Sequence, residues 1–197
     1  MPMRSLFSVF LRVVTVAVVA IVLCLPAIAQ FEPKAEVALE YSYLHSNAPP
    51  SGCGCFSMNG GSASAAFRLH EGLTAVGEFS GAHAGDIGTA GEGLTLASYL
   101  FGPRYTYRTQ RRLAPFAEVL VGLSHASGGL APSNSLSGAS SNAFAAAIGG
   151  GLDYSAGRKI AIRIVQAGYV VTTFANGADD HQNNFRAGVG IVFHFGR

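Results

Sequence analysis

The chain has 197 residues, 49% of them apolar in type and only 12% charged, where ordinary soluble domains carry about 25% charge. So few charges cannot clothe a water-facing surface, and 13 basic against 11 acidic residues leave no basic excess to recruit nucleic acid. The length suits a single domain.

The first element is an export signal. Met1 to Arg12 carries Arg4 and Arg12 without an acid, Val13 to Leu25 is almost purely apolar, and Pro26 leads into Ala27-Ile28-Ala29 with small residues where a signal peptidase reads. Residues 1–29 are therefore expected to be a signal peptide cleaved before Gln30, with residues 30–197 as the mature domain. The apolar run is shorter than the ~20 residues a membrane helix needs, and Cys24 follows Leu23 rather than the small residue a lipoprotein signal requires. Losing Arg4 and Arg12 leaves 11 basic against 11 acidic residues, so the mature protein is formally neutral.

Eight strand-like segments follow, each with apolar and small or polar residues alternating at the period of two that a strand imposes. Ala35 to His45 sets Val37, Leu39, Tyr41 and Tyr43 against Glu36, Glu40 and Ser42. Ser62 to His70, Leu73 to Ala82, Leu94 to Arg108, Leu113 to Ser127 and Ala143 to Tyr154 repeat the pattern. Ile160 to Phe174 begins in phase with Ile160, Ile162 and Ile164, then slips near Gln166 to Gly168, which predicts a β-bulge. Asn184 to Phe195 is the clearest, with Phe185, Ala187, Val189, Ile191, Phe193 and Phe195 on one face. Connections between these segments alternate long (46–61, 83–93, 128–142, 175–183) and short (71–72, 109–112, 155–159).

An up-and-down meander with loose loops at one rim and tight turns at the other explains that alternation. The polar faces hold Gly, Ser, Thr and isolated charges rather than the Lys and Glu of a soluble barrel, while Tyr and Phe gather at strand ends as girdle aromatics do. The expected fold is all-β: an eight-stranded antiparallel transmembrane β-barrel in the bacterial outer membrane, with extracellular loops and both mature termini periplasmic.

The whole mature chain resembles the small barrels of the OmpA-like and OmpX-like family. Tyr99-Leu100-Phe101-Gly102-Pro103-Arg104 and Pro115-Phe116-Ala117-Glu118 are similar to a version common among barrel-only members. The resemblance implies a barrel in contact with outer-membrane lipid and lipopolysaccharide. It also implies a C-terminal aromatic signal for the barrel assembly machinery, here Phe193 and Phe195, although Gly196 and Arg197 follow it. The peptidoglycan-binding domain of many OmpA-like proteins is not expected, because the chain stops with the barrel.

Strand parity sends Glu40, Arg68, Glu78, Arg104, Glu118, Asp153, Arg163 and Arg186 into the lumen. An eight-stranded barrel is just wide enough for side chains to fill it, so opposite charges are expected to pair there. His125-Ala126-Ser127 is the one constellation with a chemical reading. It is similar to the His-x-Ser pair of the lipid A 3-O-deacylase family, although Gly128 stands where Asn is expected and no acid lies between Glu118 and Asp153. Cys53-Gly54-Cys55, placed in the first long loop, is either a disulfide across one glycine or a pair of free thiols. No cofactor is expected, and two cysteines fall short of the four ligands of a zinc site. The expected role is structural or surface-interacting, through an extracellular partner at the loops. A deacylase-like esterase using His125 and Ser127 is the alternative, and a small selective pore the third.

Overall fold

A computed structural model describes residues 33–47, 55–87, 92–108, 112–128, 140–174 and 181–196; the signal segment 1–29 and Cys53 lie outside them. Eight antiparallel strands, β1 (Ala35–Asn47), β2 (Cys55–His70), β3 (Leu73–Ile87), β4 (Glu92–Thr106), β5 (Leu113–Gly128), β6 (Ser140–Ser155), β7 (Ile160–Thr172) and β8 (Gln182–Phe195), follow one another around a closed barrel. Closure is made by β1 on β8, from Ala35 opposite Phe195 to Ser46 opposite Asn184, so no strand edge is left open to template aggregation. Lys34 N donates to Phe195 O at 3.0 Å, which sets the ends of β1 and β8 side by side at the rim of the 71–72 turn. Gly72 there has φ 71°, a conformation a Cβ would oppose.

Burial follows the alternation that the residues dictate. Along β1 every second residue from Glu36 to Ser46 is buried, while Leu39 and Tyr41 are more than half exposed on the outer face. The outer face of every strand carries large apolar groups: Phe67, Phe79, Phe101, Leu123, Ile148, Tyr169 and Ile191 among them. Phe79 and Tyr99 pack with ring centroids 5.0 Å apart and planes tilted by 42°. This continuous apolar wall is what a barrel surface in hydrocarbon requires.

The strands differ from the sequence expectation at the loop rim. They are 13–16 residues long, more than the roughly 9–11 a tilted strand needs to cross a bilayer, and the excess lies in segments expected to be loop. β2 begins at Cys55 rather than Ser62, β3 runs on to Ile87, and β6 begins at Ser140. The β3–β4 connection shrinks to residues 88–91, shorter than 107–112 at the opposite rim. The alternation of loop lengths is thus less regular than expected. Where the strands lengthen, the polarity of their faces reverses. Leu44, Met58, Ala82, Leu94, Leu96, Ala126, Ala143 and Phe174 form a buried cluster inside the barrel, while His45, Ser57, Asn59, His83, Thr95 and Asn142 are exposed outside it.

The bulge in β7 falls earlier than expected. Asp153 faces Arg163 and Leu152 faces Val165, so the extra residue lies at Ile164 and Val165, both exposed. Its consequence is that Arg163 and Gln166, three residues apart, both turn inward and are buried. A regular strand would send one of them into the membrane.

Candidate functional site

The lumen charges form a connected set. Arg163 Nε and Nη2 reach Asp153 Oδ1 and Oδ2 at 2.9 and 3.1 Å, and its Nη1 donates to Glu40 Oε1 at 2.6 Å and to Gln166 Oε1 at 2.8 Å. Gln166 Nε2 then donates to Glu118 Oε1 at 2.8 Å, and Arg104 Nε to Glu118 Oε2 at 2.8 Å. Arg104 Nη2 also lies 2.7 Å from Glu118 Oε2, but off the line a hydrogen bond needs. The bidentate and charge-assisted geometry is the strong kind, and Arg163 has no exposed surface at all. Phe116 lies under both guanidiniums, with Arg104 4.7 Å and Arg163 4.4 Å from its ring centroid, a cation–π arrangement.

Further ion pairs extend the set along the barrel. Arg186 grips both oxygens of Glu78, with Nη2 3.2 Å from Oε2. Arg108 pairs with Glu36, and His194 Nε2 lies 3.8 Å from the same carboxylate. Arg68 is half-buried on the inward face. Beside the Arg186 pair, Ser98 and Ser124 share a buried 2.7 Å hydrogen bond. A void of about 20 Å³, the size of one water, lies where Ser42, Ser80, Ser98 and Arg186 meet the apolar side chains of Leu44, Leu96, Leu100 and Val170. Gln166, Phe116 and Glu36 complete the network but were not singled out from the sequence. Parity with Glu118 and Glu40 points Phe116 and Glu36 inward, whereas Gln166 was hidden by the bulge.

His125 and Ser127 lie on the outer face near the end of β5, half-buried. His125 Nδ1 meets Asn142 Oδ1, directly across on β6, at 2.7 Å, and Ser127 stands between Thr95 and Ser140. The sequence offered no orienting group for His125, and the cross-strand neighbour supplies one. This pair belongs to a larger belt. His45 Nδ1 meets Ser57 Oγ at 3.3 Å, His83 Nδ1 meets Thr95 Oγ1 at 2.9 Å, Tyr41 OH donates to Asn59 Oδ1 at 2.7 Å, and Tyr43 OH shares a hydrogen bond with Ser57 Oγ. Three imidazoles on β1, β3 and β5 thus sit just beyond the apolar wall, each tied across to the next strand.

Cys55 is exposed opposite Asn47 at the start of β2, in a strand rather than the expected loop, and has no disulfide partner among the described residues. Phe195 is exposed at the end of β8 and Phe193 half-buried two residues before it. Among the described residues no group of three or more His, Cys, Asp or Glu is placed to hold a metal ion.

Comparison with known proteins agrees with this architecture. No curated protein matches the sequence. Among solved structures, Neisserial surface protein A superposes with a TM-score of 0.62 at 16% identity, over 82% of this chain and 97% of that one. Ail, the attachment invasion locus protein of Yersinia pestis, gives 0.58 at 14%, over 84% and 100%. OprG of Pseudomonas aeruginosa gives 0.50 at 7%, over 86% and 100%. At such identities the likeness concerns the fold. The model of the outer membrane protein beta-barrel domain matches residues 15–193, nearly the whole chain; the protein belongs to that family and is an integral barrel of the bacterial outer membrane.

Proposed function

We propose that this barrel works as a structural and surface-interaction element of the outer membrane, its lumen plugged by charge and its loop rim facing outward. The observation that carries this reading is the filled interior. Arg104, Arg163 and Arg186 are each buried against a carboxylate, and the apolar cluster around Met58 and Leu96 caps the lumen at the loop rim. A solute has to break ion pairs and then cross an apolar layer, which speaks against a pore. The strands that project beyond the apolar wall instead give the 129–139 and 173–181 connections a stiff pedestal from which to meet an extracellular partner. In this reading the barrel also contacts lipopolysaccharide, and the assembly machinery takes hold of Phe193 and Phe195. Planar-bilayer recording tests the plug: wild type should show no steady conductance, and large stable channels would overturn it. Loss of detergent resistance or of surface adhesion on deletion of the chain, restored by the wild type, tests the envelope role.

One observation favours a second reading as an esterase. Asn142 holds His125 by Nδ1, as an orienting residue does for a general base, and Ser127 shares its face. Mass spectrometry of lipid A from cells carrying wild type or Ser127→Ala decides between them. The structural reading expects identical acyl patterns, and an acyl chain lost only with Ser127 present would establish the enzyme.

A further inference from the structure

Apart from Arg104, Arg163 and Arg186 of the lumen, the described cations stand at one rim. Residues 44–67, 69–103, 113–157 and 164–185 hold no Lys or Arg, and these stretches include every connection at the loop rim. Lys34, Arg68, Arg108, Arg112 and Lys159 instead mark the short-turn ends of β1, β2, β4, β5 and β7. The formal neutrality of the mature chain conceals this one-sided placement.

Parity sets the five toward the barrel axis. Two residues further into each strand lie Glu36, Ala66, Thr106, Ala114 and Ala161, all buried in the interior. The ladder keeps its frame past the strand ends: Arg68 N donates to Lys34 O at 2.9 Å, Ser155 N to Arg112 O at 2.7 Å and His194 N to Lys159 O at 2.8 Å. The cations therefore ring the mouth of the barrel on its inner side. Lys34, Arg112 and Lys159 are exposed, and Arg68 and Arg108 are half-buried. Arg112 leans on a neutral partner, its Nη1 donating to Tyr154 OH at 3.2 Å. The acids just behind the ring are already engaged, Glu36 by Arg108 and Asp153 by Arg163.

Such a ring opposes folding when it stands by itself. Like charges directly opposite on neighbouring strands repel, and Lys34 and Arg68 are such a pair. A mouth of one sign set in a low-dielectric wall also focuses the field and gathers ligands of the other sign. We infer that this mouth is a docking surface for an acidic peptide segment of a partner protein, whose carboxylates meet the ring from the barrel axis. Cross-strand neighbours stand about 4.5–5.5 Å apart and alternate side chains of an extended peptide about 6.6 Å apart, so successive carboxylates can reach successive cations. The arginines offer planar forks that fit a carboxylate. Lipid phosphates would come from the outer face, where this rim presents Leu69, Tyr105, Tyr107, Ile160 and Phe195. The surface is separate from the loop rim, and in the proposed topology it opens to the periplasm.

The test is anisotropy of a fluorescein-labelled deca-aspartate peptide titrated with the mature barrel in phosphatidylcholine nanodiscs, where both rims are open to solvent, at about 0.15 M salt. Wild type should bind saturably, one peptide per barrel. Lys34→Gln with Lys159→Gln should weaken binding about tenfold, as two exposed ion pairs at the upper end of their usual strength would. Lys34→Arg with Lys159→Arg should bind as wild type does. Unchanged heat-modifiable gel migration checks that each variant is folded. Arg158→Gln, in the same turn but outside the parity of the ring, should stay within about twofold of wild type. A loss as large as that of Lys159→Gln would reduce the effect to net charge and overturn the ring. Absence of saturable binding, or equal binding by the double glutamine variant, overturns the docking surface. Phosphatidylglycerol retained by wild type and lost from the double glutamine variant in native mass spectrometry, with no peptide bound, gives the rim to lipid headgroups and overturns the peptide assignment.

Discussion

The two ends of β2 and β5 obey opposite rules. Through the apolar wall, Val121 and Leu123 of β5 face out while Glu118 faces in; at the loop rim the same strand turns Ala126 in and His125 out. β2 does likewise, with Phe67 out near the short turns but Met58 in and Ser57 and Asn59 out near the loops. Neither strand breaks its pleat to do this. The medium outside decides which face is apolar: hydrocarbon makes the barrel inside-out, and water restores the ordinary soluble arrangement. The crossover, marked by Tyr41, Tyr43 and the three bonded histidines, therefore locates the headgroup boundary on the protein.

The largest effects of mutation are expected inside the membrane part. Glu118→Ala leaves Arg104 and Gln166 without their shared acceptor, and Arg163→Ala strands Glu40 and Asp153 together. Each should cost about 3–5 kcal/mol, the penalty for an orphaned buried charge, read as a lower urea midpoint in detergent or lipid. Stability unchanged by both would mean that the lumen is wet enough to solvate single charges. At the loop rim the interior is apolar, so Met58→Ala, at 1% exposure, should behave as a core truncation and cost about 2–5 kcal/mol. The damage should surface as new protease cuts near 48–54 with the membrane part still resistant. Cleavage throughout the chain would show that the two parts unfold as one.

Charge on the outer face sharpens the boundary. Val121→Arg should destabilise by about 2–4 kcal/mol if it lies near the bilayer midplane, whereas His125→Arg, four residues on, should cost no more than about 1 kcal/mol. Equal penalties from unfolding in lipid vesicles would move the headgroup level above the histidines. The smallest effect is expected at Ser127→Ala, a half-buried hydroxyl, within about 0.5 kcal/mol in the same assay.

This reversal also explains which parts of the fold the sequence disclosed. β1 and β8 were legible because Val37 to Tyr43 and Phe185 to Phe195 keep a greasy outer face for most of their length. The start of β2 was not, because Phe56 and Met58 alternate with Ser57 and Asn59 in the opposite phase, between glycines and cysteines that read as a loop. Parity identified the inward charges one by one. Their partners could not be read, since Arg163 meets Glu40 across 123 residues and Arg186 meets Glu78 across 108, distances fixed by barrel stagger. Gln166 escaped because the slip in phase announced a bulge near Gln166 to Gly168 but not its place between Arg163 and Gln166, which decides the face Gln166 takes. The imidazole belt escaped because each histidine is tied to a residue of the next strand rather than to a neighbour in sequence.

The lumen pairs also tie the beginning of the barrel to its end. Glu40 and Glu78 arrive on β1 and β3, while their partners Arg163 and Arg186 arrive on β7 and β8. A sheet still open at the β1–β8 seam therefore holds Glu40, Glu78 and Arg186 apart from the partners they meet in the closed cylinder, in a medium that tolerates no lone charge. Closing the cylinder brings them together, so the seam acts as an electrical latch that couples insertion to circularisation.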